Sequence, residues 1–362
     1  MRLLADTDTG IDDALALLWL AGRSDVDLVA VHATHGNCAT GQAAANARYV
    51  LDLAGRDDVP VIAGRPGPLS GSSRPRSGVH GLDGLGDRGL APDPWPPAPP
   101  GEDAVADLLR RAEAEAGELD LLALGPLTNL GAALRSEPGL LAAFRSLTIV
   151  GGTGIETAGT GADPGPTGVT DRSAAEPGGA GIDDDAARPA APAPPAPPPR
   201  DTNTVHDPEA ARLVAAATGT PVTMVGLDIT LAVATTTAGP GRLARLATAT
   251  SPAGRLAGTI ASAYVEAVEA RRGTRSLPLH DPVAAMVCVG ADIGATFAWG
   301  RAAVVGPPGE ERTIVTADAV DGPAPGAAAS GRRTRALTAA DPVAVADELV
   351  GALVGPSPPD RT

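Results

Sequence analysis

A chain of 362 residues, 43% of them hydrophobic, can bury a large core, as one big α/β domain or as two smaller ones. Its formal net charge of -15 argues against nucleic acid or an anionic membrane as a partner, because both attract basic surfaces. All 28 basic residues are arginine, which removes P-loop phosphate binding, Schiff-base catalysis and a lysine general base together.

Only seven aromatic residues occur, so Leu, Val, Ala and Ile must build the core. Two cysteines, Cys38 and Cys288, are too few for a disulfide framework or a thiolate metal site. No basic-then-apolar leader precedes the first motif and no run of 18 apolar residues follows it, so the expected location is cytoplasmic.

In chain order, Leu3-Leu4-Ala5 reads as a buried strand, Gly10 as a turn, and Ala14 to Leu20 as a helix that starts near Asp12. A strand at Val26 to Val31, a helix from about Gly41 to Ala54 and a short strand at Val59 to Ile62 complete β-α-β-α-β. That alternation specifies a parallel, doubly wound sheet. Residues 64 to 101 are a Gly- and Pro-rich loop with one island, His80-Gly81-Leu82-Asp83-Gly84-Leu85-Gly86. Glu102 to Ala116 is helical, Leu119 to Leu124 is a strand that ends in the turn Gly125-Pro126, and Leu147 to Gly152 is one more strand.

Residues 153–200 hold ten prolines and almost no large apolar residue, so they are expected to form a disordered insertion within a single domain spanning 1–355. Beyond it, Asp207-Pro208 starts a helix that leads to a strand at Val222 to Leu227. Ser251 to Arg272 is a long helix, His280-Asp281-Pro282 opens another, and strand signals near 302–305 and 313–315 are weaker. Residues 323–335 read as loop and Pro342 to Val354 as a closing helix.

The chemistry concentrates in Asp6-Thr7-Asp8-Thr9-Gly10-Ile11-Asp12-Asp13, four carboxylates in eight positions between a strand and a helix. In open α/β sheets that edge is where ligands bind. Capping accounts for Asp12 or Asp13, but not for Asp6 and Asp8 as well. Four acids so close raise one another's pKa unless a cation neutralises them. Asn37, Asn203, His280 and Asp281 fall at other candidate strand or helix ends, and such oxygen-rich donors suit Ca²⁺ or Mg²⁺ better than zinc.

Here the chain resembles the calcium-dependent nucleoside hydrolases of the inosine-uridine-preferring type. The likeness runs collinearly through DTDTGIDDALAL at 6–17, HGN at 35–37, HGLDGLG at 80–86, GPLTNL at 125–130 and VGG at 150–152. It continues through NTVHDPEAA at 203–211, VTMVGLD at 222–228 and HDPVA at 280–284. The resemblance implies a nucleoside hydrolase-like, Rossmann-like α/β fold, with a doubly wound, mainly parallel central sheet flanked by helices, and a homo-oligomer, dimer or tetramer. It implies Ca²⁺ held by Asp8, Asp13, Asp281 and the backbone carbonyl of Leu124. Asp12, Asn37, Asp201, Asn203 and Asp281 would bind the ribose, Asp8 would be the base that activates a calcium-bound water, and His280 the acid that protonates the leaving base. Asp6 matches a bracing position, and His80 stays outside the catalytic set.

Three departures are visible. Thr9 stands where the family most often has Pro, Asp201-Thr202-Asn203 where it has Glu-Phe-Asn, and a sugar-binding Gly-Asn pair after the Gly-Gly turn has no clear counterpart. The expected reaction is hydrolysis of ribonucleosides to free base and ribose. One alternative is a nucleoside- or ribose-binding relative with weak turnover. A second is a DxDxT-type phosphatase, whose required later lysine is missing. An EF-hand fails on spacing, because Leu17 occupies the position that needs a bidentate Glu.

Overall fold

A computed structural model describes residues 1–71, 74, 76, 78–153, 155–157, 200–237, 239–317 and 333–354 of the chain. The first part lays down β1 (Arg2–Thr7), α1 (Ile11–Ala21), β2 (Asp27–Ala33), α2 (Thr40–Leu53), β3 (Val61–Ala63), α3 (Ala104–Ala114), β4 (Asp120–Ala123), α4 (Thr128–Ser136) and β5 (Ser146–Val150). Next come β6 (Ile155–Thr157), α5 (Thr202–His206), α6 (Pro208–Ala216), β7 (Val222–Val225), α7 (Leu227–Thr237), α8 (Pro240–Ala247), α9 (Pro252–Arg272) and α10 (His280–Val289). The chain closes with β8 (Thr296–Val305), β9 (Arg312–Ala317), β10 (Thr334–Ala339) and α11 (Pro342–Val354).

All ten described strands join one sheet in the order β3-β2-β1-β4-β5-β7-β10-β8-β9-β6. From β3 to β10 each neighbouring pair is parallel, whereas β8 runs antiparallel to both β10 and β9. The winding direction reverses between β1 and β4, so the two halves of the sheet diverge there and open a crevice at the strands' carboxyl ends.

Alternation along the strands divides the core in two. Leu3, Ala5, Leu122, Leu124, Val150 and Val225 face a cluster built with α1, α9, α10 and α11. Leu4, Leu121, Ala123, Ile149 and Met224 face the other side, with Leu108, Leu130 and Val214 from α3, α4 and α6. Apolar residues at both parities are what a sheet covered on both faces requires. Helix α1 is buried along its whole length, Trp19 included, because it is apolar around almost its entire circumference.

The fold differs from the sequence-based expectation in three places. The expected insertion at 153–200 falls largely outside the described residues, but its start belongs to the sheet: Ile155–Thr157 pairs in parallel with β9 as β6. Strand β10 begins at Thr334, inside the expected loop, and is held between β7 and β8. Helices α7 and α8 are additions to that reading: the Thr-rich end of α7 is a weak helix former that packing decides, whereas α8 opens on Pro240 and is rich in the helix formers Leu, Ala and Arg.

Candidate active site

The loop after β1 is folded around one carboxylate. Thr7 Oγ1 donates to Asp13 Oδ1, Gly10 N donates to Asp13 Oδ2 at 2.9 Å, and Thr9 N donates to Thr7 Oγ1 at 3.0 Å. These bonds hold Thr9 at φ 26°, a region that β-branched residues avoid and that costs on the order of 1–3 kcal/mol. A strained residue held in place by its surroundings is a frequent mark of a functional site.

The turn after β2 closes over the same loop. Asn37 donates its backbone N–H to Asp8 Oδ2 at 2.6 Å, and its Nδ2 reaches Asp8 Oδ1 at 3.2 Å and Asp13 Oδ2 at 3.1 Å. This approach needs a bare backbone: a Cβ on Gly36 would stand 1.9 Å from Asp8 Oδ2, and one on Gly10 would stand 2.5 Å from Asn37 Nδ2. The glycine of the His-Gly-Asn turn is therefore a steric requirement.

Helix α10 packs against α1 with both amino ends at this crevice, which sets His280 and Asp281 beside Asp12 and Asp13. Carboxylate oxygens of Asp12, Asp13 and Asp281 lie within 4.8 Å of one another. The partial positive charge of two helix amino ends offsets some of their repulsion, but not four charges. Burial and Asp13 push the Asp12 carboxyl up to about 8, and burial with the neighbouring acids pushes Asp8 and Asp281 well above the ordinary range. Burial likewise raises Asp6 to about 7; its Oδ2 accepts from Asn129 at 2.9 Å, while Oδ1 is buried without a partner.

No arginine pairs with these acids among the described residues; their one contact with a basic side chain is Asp12 with His80 at 3.8 Å. Buried, oxygen-only and lacking an internal counter-charge, the cluster fits a hard divalent cation. Asp12 joins the acids whose oxygens converge, beyond the ribose role implied by resemblance.

A cavity of about 500 Å³ opens here, lined by Asn37, His80, Thr202, His206, Tyr264 and His280 among others. His80 Nδ1 accepts from Ile11 N at 3.1 Å, so the neutral ring carries its proton on Nε2. Burial pushes its pKa down to about 4, and burial, His80 and Arg272 push His280 to about 3. Both rings are therefore neutral near pH 7. His280 Nδ1 lies 2.6 Å from Thr230 Oγ1, whose other partners, the carbonyls of Gly226 and Leu227, are at 3.3 and 3.2 Å. With the hydroxyl donating along the shortest contact, the His280 proton also resides on Nε2.

Two residues expected at the ribose engage backbone groups with their side chains. Asp201 is 1% exposed and caps α5: its Oδ1 accepts from Thr204 N at 3.2 Å, and its Oδ2 from Gly152 N at 3.0 Å and Thr313 N at 2.9 Å. Asn203 donates to the carbonyls of Leu124 at 2.7 Å and Val150 at 3.3 Å, tying the ends of β4 and β5 together. Like Asp8, Asp12, Asp13 and Asp281, neither is among the described residues lining the large cavity. The Leu124 carbonyl is at the switch point as expected, with one of its two lone pairs engaged by Asn203. Tyr264 and His206 line the cavity without having been singled out from sequence. Tyr264 sits inside a long helix whose pattern carries no functional signal.

The chain is similar to several known proteins. It is 37% identical to uridine nucleosidase 1 of Arabidopsis thaliana over 153 residues, 42% of this chain and 45% of that one, so the match spans less than half of that relative. It is 27% identical to the pyrimidine-specific ribonucleoside hydrolase RihB of Escherichia coli over 289 residues, covering 80% of this chain and 77% of that protein. A solved plant nucleoside hydrolase superposes with a TM-score of 0.75 at 25% identity, covering 98% of this chain and 99% of the other. A purine-preferring ribonucleoside hydrolase from Gardnerella vaginalis superposes with a TM-score of 0.73 at 24% identity and 98% coverage of both chains, a likeness of fold. The model of the inosine-uridine preferring nucleoside hydrolases matches residues 3–346, and the chain belongs to that family.

Proposed function

We propose that this chain hydrolyses the N-glycosidic bond of ribonucleosides, releasing free base and ribose, with Ca²⁺ held by Asp8, Asp13, Asp281 and the Leu124 carbonyl. The observation that carries the reading is the set of buried carboxylates without an internal counter-charge, beside a cavity of nucleoside size. When bound, the cation neutralises these acids and lowers the pKa of water.

The residues divide the work. Asp12, Asn37 and Asp281 hold the ribose hydroxyls and fix C1′ for attack. Asp8 takes the proton of the attacking water as its oxygen bonds to C1′. The C1′–N bond breaks with its electron pair going to the base, and the carboxylates stabilise the positive charge that builds on the sugar. His280, a neutral imidazole, donates through Nε2–H to the departing base and recovers the proton that water released to Asp8. That backbone groups engage the side chains of Asp201 and Asn203 favours a second reading, a nucleoside-binding relative that turns over slowly.

Incubation with a panel of purine and pyrimidine ribonucleosides, with and without chelator, separates the readings. The expected result is release of base and reducing sugar that stops on chelation and returns with Ca²⁺. Thermal stabilisation by Ca²⁺ and ribose without release supports the binding relative, and release that ignores the chelator contradicts the calcium assignment.

A further inference from the structure

The rim of the large cavity carries a charge that the proposed nucleoside chemistry does not use. In a chain with 43 acidic residues against 28 basic ones, four arginines, Arg76, Arg200, Arg271 and Arg272, line the cavity, and no described lining residue is acidic. Arg76 and Arg272 are exposed, and neither makes an ion pair among the described residues. Arg200 makes one long contact, 3.5 Å to the Gly309 carbonyl.

These cations lie at two ends. Arg272 is felt at His280, where the leaving base is handled. Arg200 directly precedes the N-cap of α5, whose Thr202 and His206 line the cavity with it and with Arg76, and burial, His35, Arg200, Arg76 and Arg74 push His206 down to about 4. At that second end the acid of the Asp201 segment is turned inward onto three backbone N–H groups, and Arg200 and Thr202 face the cavity on either side of it. The carboxylates lie just behind the lining residues Asn37, His80 and His280, and the guanidiniums stand on the rim, which suits a ligand with a cationic centre low in the site and an anion above it.

We propose that the cavity takes a ribonucleoside 5′-monophosphate, with its phosphate held by Arg76 and Arg200. The assignment rests on the proposed function: with the 2′ and 3′ hydroxyls at the carboxylate floor and the base toward His280, the 5′ carbon is what points at the His206 end. Guanidinium groups bind phosphate oxygens through paired, charge-assisted hydrogen bonds. The reaction is that of the nucleoside. Water oxygen bonds to C1′, the C1′–N pair leaves with the base, one water proton goes to the base, and ribose 5-phosphate is the second product.

The test compares kcat/KM for uridine, uridine 5′-monophosphate and orotidine in the full chain and in the Arg76→Ala/Arg200→Ala variant. Each charged hydrogen-bonding group contributes about tenfold, so the monophosphate is expected to exceed uridine by about 10²-fold. That ratio is expected to fall to about one in the double variant and to shrink as salt is raised. Uridine matching or beating its monophosphate, or a preference that survives the double substitution, overturns the proposal. A preference for orotidine, whose carboxylate is on the base, overturns the 5′ assignment. Release from none of the three counts against the hydrolase reading instead, and the ratio of calorimetric Kd values for uridine and its monophosphate then decides the phosphate claim by the same criterion.

Discussion

Asp107 on α3 and the acids behind β1 are all nearly inaccessible to solvent, with Asp107 at 2% exposure and Asp8, Asp12 and Asp281 at 2%, 3% and 4%. Asp107 has its partners inside the chain: the counter-charges of Arg111, Nε at 2.6 Å, and Arg110, and a hydrogen bond with His32 Nε2 at 2.8 Å. Burial opposes its ionisation, but the hydrogen bonds from His32 and Arg111 outweigh that and hold the carboxyl at about 2. The acids at the switch point lack such partners, and their pKa values move the opposite way. The same residue type at the same burial is a structural brace where arginines or backbone N–H groups satisfy it, as at Asp107 and Asp201, and a candidate cation site where acids crowd together without them.

Substitutions on the two sides of this contrast are expected to act on different quantities. Asp8→Ala removes both the base and a cation ligand, so base release is expected to fall by more than about 10³-fold while the fold persists; a variant that keeps full activity sinks the assignment. His280→Ala is expected to cost about 10²- to 10⁴-fold with natural nucleosides and far less with a riboside whose leaving group needs no proton. Because the ring is neutral far below its ordinary range, that loss should not change between pH 5 and pH 8, which a pH–rate profile of both proteins checks. Asp107→Ala strips His32 of its partner and is expected to lower stability by about 1–3 kcal/mol in a denaturant melt, with the rate per folded molecule unchanged.

Much of this contrast is legible in the amino-acid sequence. The strands β1, β2, β4, β5 and β7 follow from short apolar runs bounded by turn residues, and their parallel pairing from the β-α-β alternation. The crowding of Asp6, Asp8, Asp12 and Asp13 shows a site before any fold is known, since capping absorbs only part of it. What stays hidden is direction. Asp201 and Asn203 match ribose-binding positions by their place in the chain, yet their side chains satisfy backbone groups of β4, β5 and β9, a choice made by packing across more than 100 residues for Thr313. Asp107 is legible in part: Arg110 and Arg111 follow it at helical spacing, but His32 lies 75 residues away.

If the switch-point acids need a cation from outside the chain, calorimetric titration of the metal-free protein with Ca²⁺ will register it. In that state Asp12 at about 8 and Asp6 at about 7 keep protons that the unfolded chain, near 3.8, gives up. Their contribution to stability is full below about pH 4 and is lost as pH rises through 7 to 8. A cation that binds the ionised acids reverses this. The account predicts one Ca²⁺ per chain, binding more tightly and raising Tm more at pH 8 than at pH 6, with both effects lost in Asp13→Ala. Absence of binding at pH 8, or binding that Asp13→Ala leaves intact, would contradict it.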